Sequence, residues 1–381
     1  MILNQLLRKY LSVSRLQSVL ILLGILAAAF AIGGVVVAAL GASPMEALSE
    51  LFNGAFGNKH AIANTLVKAC PLLFVALGIC VSFRAGVFNI GGEGQLVTGA
   101  LAAAAVAFAI PGWPTWLVLV LSLAAGTMAG AIWAGIAGWL KVRFNVSEIL
   151  STIMLNYIAT LGMVYLLSGP MNDPAHALSG RFMPETARLA IELPRLAPTR
   201  LHLGVAIAVV LAVLVYVFLW RTTIGYRIRV VGKSLRASEA AGINPRRYMI
   251  LAMVLSGALI GFGGAIELIG VQHRLITEGS AVYFTGSAGF NGIVVALFGQ
   301  LHPLGAIPAS LLFGALLTGG ARIQRALQVP SALIGAITGL IALLVVGTDY
   351  VRRRRARQRA DTELLRTPPP NCVSQGEGEE R

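Results

Sequence analysis

Leu16–Ala42 reads LQSVLILLGILAAAFAIGGVVVAALGA, a run without one charged side chain. The hydrocarbon core of a bilayer is about 30 Å thick and takes roughly 20 apolar residues of helix to cross, so this run is long enough to span it. It also outruns the short apolar core of a secretory signal, which makes it a retained first span. The rest of the chain is similar: 56% of the 381 residues are hydrophobic, only 12% are charged, and the mean hydropathy is +0.78. One soluble core cannot hide that much apolar surface, so the bilayer is the solvent.

Further runs follow at Ala61–Ser82, Ala85–Ile110, Pro114–Leu140, Ser147–Ser168 and Leu201–Trp220, then at Met249–Val271, Ser287–Gln300, Leu304–Gly319 and Ser331–Gly347. The sequence thus predicts an all-α polytopic membrane protein of about ten transmembrane helices. Ser287–Gln300 is too short to cross and Pro303 separates it from its successor, so these two are expected to be broken or re-entrant.

Charge sets the orientation. With the N-terminus inside, 21 of the 30 Lys and Arg fall on the cytoplasmic side, as the positive-inside rule requires. Residues 1–15 are then a cytoplasmic N-terminus, 16–347 the transmembrane domain, and 348–381 a basic and then disordered cytoplasmic tail. Residues 221–248 form a cytoplasmic loop, and 169–200 an outside loop that reads as a solvated connector or a docking surface. The net charge of +14 and the pI near 10.4 report this topology. Basic residues dispersed at membrane edges do not make a nucleic-acid site, and Arg352–Arg355 suits anionic lipid headgroups.

Soluble-enzyme signals fail on inspection. Gly232-Lys233-Ser234 imitates the end of a phosphate loop, but Arg227 stands where that motif needs glycine. Cys70, Cys80 and Cys372 have no disulfide or metal-ligand spacing. The five histidines have none of the helical pairing that presents two to a metal.

What stands out is polar content inside the spans. Phe88–Gln95, FNIGGEGQ, puts glycines and a carboxylate where a plain span has Leu and Val. Asn89 and Glu93 are four apart, hence on one helical face that looks into the bundle or a wet cavity. A Glu at that depth costs about 3 kcal/mol or more on insertion scales, so it serves either a structural network or a substrate contact. Phe290-Asn291 repeats the Phe-Asn step in the broken element, as an inverted repeat would place it. Asn156 and Tyr157 are further pore-lining candidates, and Lys68 and Glu267 a possible pair. Gly126–Gly130 and Gly257–Gly261 are small-xxx-small packing steps.

The loop 221–248 holds a short helix over Ser234–Ala241 that Gly242 stops and Pro245 prevents from continuing. Ala237, Ala240 and Ala241 give it a smooth face, suited either to a partner's cleft or to the membrane surface.

Here resemblance decides. Gly232–Asn244, GKSLRASEAAGIN, resembles the coupling loop of permease subunits of bacterial ATP-binding-cassette (ABC) importers, in the family of branched-chain amino acid, simple-sugar and nucleoside permeases. Phe83–Ala100, FRAGVFNIGGEGQLVTGA, resembles the signature of the sugar and nucleoside branch that works with a lipoprotein of the basic-membrane-protein type. Gly289–Gly305, GFNGIVVALFGQLHPLG, is similar to a third landmark of that branch, and the likeness runs from about Ala61 to Gly347. It implies that Gly232, Lys233, Ser234, Arg236, Ala237, Glu239, Ala240, Ala241, Gly242, Ile243 and Asn244 dock on a cytoplasmic ATPase. It places Asn89, Glu93 and Gln95 at or near a translocation path. Phe88, Phe290, Asn89 and Asn291 offer the stacking and amide groups a nucleoside, or next a simple sugar, would need.

The implied protein is a transport subunit of the bacterial cytoplasmic membrane, with no cofactor of its own and ATP and magnesium on the partner ATPase. It also implies a second permease subunit and an external binding protein or lipoprotein. The alternative is a self-powered secondary transporter or facilitative channel, with Glu93, Lys68 or Glu267 as the ion-coupling group.

Overall fold

The structure is a computed structural model that describes residues 24, 27, 28, 31–39, 41–173, 183–196, 198–328, 335, 336, 339, 340 and 344. The chain divides into two units, Met1–Ile32 with Gly339–Arg381, and Gly33–Thr338. In the first, the described residues are helical.

The second unit carries α1 (Pro44–Phe56), α2 (Lys59–Arg84), α3 (Gly92–Ala109), α4 (Thr115–Phe144), α5 (Glu148–Ser168) and α6 (Leu203–Arg221). Then come α7 (Thr223–Lys233), α8 (Leu235–Ala240), α9 (Pro245–Glu267) with a π-helical turn at Leu268–Gln272, α10 (Val282–Thr285), α11 (Ala288–Phe298) and α12 (Pro303–Leu327). Among the described residues seven helices are long and apolar enough to cross a membrane: α2 to α6, α9 with its π turn, and α12. Counting Ala31–Ala39 with α1, bent by 118°, as one further span gives eight. About half of the expected span at Leu16–Ala42 and most of that at Ser331–Gly347 lie outside the described residues. The expected eighth span is the 11-residue α11, too short to cross.

Burial sorts the helices. In α2, 83% of the most apolar 18-residue window lies inside the protein, against 28% in α4, α5 and α6. An apolar helix buried all round is a core element, and α9, α12 and α11 pack against α2. The outer helices turn Trp116, Met128, Ile132, Leu161 and Val210 outward, as lipid-facing surfaces do. α4 crosses α9 where Gly130 and Gly257 press backbone on backbone, closer than any Cβ on either would allow. Both packing steps expected there therefore meet each other, the small-residue contact that substitutes for a hydrophobic drive inside lipid.

Connections are closed by local chemistry. Asn145 ends α4 in the left-handed region at φ 55°, and Lys141 pairs with Glu148 at 3.0 Å across the turn into α5. Ser43 caps α1, Pro44 occupies its first turn, and Arg322 of α12 pairs with Glu50 of α1 at 2.5 Å.

Candidate functional site

The expected third span does not begin at Ala85. Gly86–Gly91 is non-helical, with Gly86 at φ 76°, and α3 starts only at Gly92. Asn89 and Glu93 therefore share no helical face, a correction whose cause is Asn89 itself. Its amide donates to Gln95 Oε1 at 3.0 Å and to Ser256 Oγ at 2.9 Å, while its Oδ1 accepts from Gly91 N–H and Gln95 Nε2, both at 2.9 Å. These bonds hold the irregular backbone where no water is available, which is the condition for breaking a helix at membrane depth.

The start of α3 has no side-chain cap on Gly91, so its first amides need partners from elsewhere. Asn156 of α5 supplies one, accepting from Gly94 N–H at 2.8 Å and donating to Ile90 C=O at 3.0 Å. Thr152 Oγ1 accepts from Ile90 N–H at 3.4 Å.

Glu93 serves another helix. Its carboxylate accepts from Gly289 N–H at 2.9 Å, from Phe290 N–H and from the Thr285 hydroxyl. Ser287, the residue before α11, is left-handed at φ 60° and gives that helix no side-chain cap. An anion on a helix N-terminus is favourable, and Glu93 is the cap of α11 supplied from α3. Gly289 is required here because a Cβ on it would collide with the Glu93 backbone and carboxylate.

The expected site residues therefore separate into two groups. Asn89, Glu93, Gln95 and Asn156 are buried, at 0%, 4%, 1% and 6% exposure, with their polar groups held by protein partners. Phe88 and Phe290 are open, at 48% and 46%, and Asn291 is half-buried. Tyr157 is exposed on α5. Lys68 is exposed on α2 and forms no ion pair with buried Glu267, to which Gln272 donates at 3.5 Å. Sequence reasoning missed Ser256, Thr152 and Thr285. Their only signal is a small hydroxyl in an apolar run, which many residues share.

The docking candidate is a compact turn. Ser234 caps α8 by accepting from Ala237 N–H at 3.3 Å, and buried Ser238 donates to Leu235 C=O at 2.6 Å. Gly242 stops the helix at φ 72°, and Asn244 caps α9 in front of Pro245. Gly232, Lys233, Ser234, Arg236, Ala237, Glu239, Ala240, Ala241, Gly242 and Asn244 are exposed, and Ile243 is half-buried. Leu235, exposed as well, adds an apolar contact to that surface.

Beyond the other end of α9, residues 183–196 lie as an extended strap on residues 269–277. Thr186 N–H donates to Leu275 C=O at 3.0 Å, Leu189 N–H to His273 C=O at 2.8 Å, and Arg274 pairs with Glu185 at 2.9 Å. Leu189, Ile191 and Leu193 are buried beneath it with period two, so this part of the loop is packed rather than a solvated connector. His202, which caps α6 by accepting from Gly204 N–H at 3.2 Å, has its pKa pushed down to about 4, chiefly by burial and then by Arg195 and His273. Among the described residues no group of three His, Cys, Asp or Glu is arranged to hold a metal.

With that geometry in place, comparison with known proteins gives a consistent result. Residues 61–346 match the family described as branched-chain amino acid transport system / permease component. The chain is similar to the guanosine ABC transporter permease protein NupP of Bacillus subtilis, 33% identical over 89% of this chain and 96% of that one. It is 33% identical to the glucose ABC transporter permease protein TsgB13 of Haloferax volcanii, over 86% of this chain and 87% of that one. It is 30% identical to the nucleoside ABC transporter permease protein NupB of Lactococcus lactis, over 83% of this chain and 87% of that one.

Proposed function

Because the chain belongs to the permease-component family of branched-chain amino acid transport systems, we propose that it is the membrane-spanning permease of an ABC importer for a small polar solute, a nucleoside first and a simple sugar second. The observation that carries this reading is similarity over nearly the whole chain to permeases of nucleoside, guanosine and glucose transporters. The chain is a multi-pass membrane protein, and its chemistry is movement of a solute. ATP and magnesium sit on a separate ATPase subunit.

In this reading both termini and the α7–α8 turn face the cytoplasm of a bacterial inner membrane, and the 183–196 strap faces outward to an external binding protein or lipoprotein. Gly232–Asn244 receives the ATPase; the support is its exposure combined with a fixed, doubly capped shape. A second permease completes the pore. Phe88, Phe290 and Asn291 present stacking and amide groups to the path, while Asn89, Glu93, Gln95 and Asn156 hold the two helix starts that carry them. Alternating access follows when ATP-driven movement of the docking turn shifts these starts between two arrangements.

The test is affinity purification of the tagged full chain from its native membrane, followed by binding of labelled nucleosides, bases and sugars to the external protein that co-purifies. An ATPase in the complex and preferential nucleoside binding support the reading. A chain that purifies without any ATPase contradicts it.

A further inference from the structure

One residue joins the docking turn to the broken helix. Arg84 is the last residue of α2, and its main-chain carbonyl lies directly against Gly232, leaving no room there for a Cβ. Gly86, at φ 76°, faces the same Gly232 backbone from the next turn. The docking helix α8 begins only three residues after Gly232, so any rigid movement of α7 and α8 presses on the Arg84–Gly86 main chain.

The side chain of Arg84 reaches elsewhere. Its Nε donates to Leu301 C=O at 3.1 Å and its Nη2 to Gln300 C=O at 3.4 Å. Gln300 and Leu301 form the turn between α11 and α12, and both are left-handed, at φ 57° and 52°. Two successive non-glycine residues in that region cost roughly 1–2 kcal/mol each and persist only when their surroundings hold them. Arg84 is such a holder, and its own direction is fixed by packing. The guanidinium carbon sits 5.3 Å from the Trp220 ring centre, Trp220 lies against His302 at 4.8 Å, and Tyr216 stacks on Trp220 at 5.4 Å. The other end of α11 is the one capped by Glu93.

We infer that Arg84 is the positioning residue that transmits movement of the ATPase-docking turn to the broken helix α11: its backbone is pushed by Gly232 and its guanidinium carries the Gln300–Leu301 turn. This inference rests on the importer reading above. Helix α11 is thereby held at both ends, at the Phe290 end by Glu93 and at the Gln300 end by Arg84. A shift at one end tilts it about the other, and Phe290 and Asn291 move with it. A guanidinium suits this role because two planar donors keep their aim on two carbonyls, whereas an ammonium fixes only one direction.

The experiment uses the full chain with Cys372→Ser, assembled with its ATPase and external protein in liposomes, with a spin label at Gln300→Cys, which leaves the carbonyl that Arg84 holds. Label mobility with and without trapped ATP is read beside solute imported per ATP hydrolysed. In the labelled parent, ATP trapping shifts the label. In Arg84→Gln the complex still assembles and hydrolyses ATP, the shift vanishes, and import per ATP falls at least about tenfold, the scale of losing hydrogen bonds from a charged donor. Arg84→Lys recovers part of both. Should Arg84→Gln fail to fold, Trp220→Leu is the second variant, with the same uncoupling expected and rescue by Trp220→Phe. An unchanged label shift and import ratio in Arg84→Gln and Trp220→Leu overturns the inference. So does a parent that imports without any label shift, or an Arg84→Lys no better than Gln with stability lost in both. A parent chain that never binds the ATPase contradicts the importer reading itself, and this inference with it.

Discussion

Replacing Glu93 separates a joint from a substrate contact, because its partners can be counted. The carboxylate accepts from Gly289 N–H, Phe290 N–H and the Thr285 hydroxyl. In Glu93→Gln the remaining oxygen can still take the amides while the new NH2 turns to Thr285, whose hydroxyl also lies 3.2 Å from Ala281 C=O and can rotate to it. What is lost is the charge on the α11 N-terminus and the charge assistance of its bonds, about 1–2 kcal/mol. In Glu93→Ala both amides lose their partner in a dry site, and the cost rises to about 3–5 kcal/mol. With Cys372→Ser in every variant, Cys70 and Cys80 are the remaining thiols and both are buried, so a thiol-reactive dye in detergent reports unfolding. At about 2–4 °C per kcal/mol the apparent Tm drops roughly 2–8 °C for Gln and roughly 6–20 °C for Ala. Glu93→Asp, one methylene shorter, falls between parent and Ala. Transport lost with all three Tm values unchanged would refute the joint and put the carboxylate on the solute path.

Other outcomes follow from the same geometry. Gly242→Val forces a β-branched residue into φ 72°, which costs about 1–2 kcal/mol and should weaken ATPase co-purification while the spans stay folded. Glu239→Arg reverses the one acidic charge on α8 and should weaken the same co-purification without changing thermal stability. Gly257→Leu at the α4–α9 crossing should cost about 3 kcal/mol or more and remove the folded peak from size-exclusion profiles. For the strap, His202 is a base whose folded-state pKa is lowered from 6.5 to about 4, so the unfolded state takes up protons more readily. The stability it contributes, at most about 3 kcal/mol, is complete above pH 6.5 and is lost as pH falls toward about 4. Hydrogen exchange at 183–196 should quicken across that window in the parent and lose this step in His202→Asn, which keeps a cap acceptor without a titrating ring.

Much of the fold was legible because bilayer thickness imposes itself on sequence. The runs that predict α2, α4, α5, α6 and α9 need no partner to be recognised, and the stop at Gly242 with the restart at Pro245 is written in backbone chemistry. The start of α3 was not legible. Phe88–Gln95 has the glycines and amides of a broken helix, but that Asn89 turns away to Ser256 depends on a residue 167 positions later. The role of Glu93 was hidden for the same reason, since Gly289 and Thr285 become its partners only once α3 and α11 meet end to end. The strap is a different case: Leu189, Ile191 and Leu193 alternate as an extended buried segment does, and the surrounding Pro and Arg masked that signal.

An importer permease moves its solute only when a partner hydrolyses ATP. The direct measurement is uptake of labelled nucleoside into liposomes carrying the chain, its partner permease and the external protein, with the ATPase present or omitted and the proton gradient intact or collapsed. The expected result is concentrative uptake that requires the ATPase and ATP and survives collapse of the gradient. Uptake that proceeds without the ATPase and stops when the gradient collapses would contradict it.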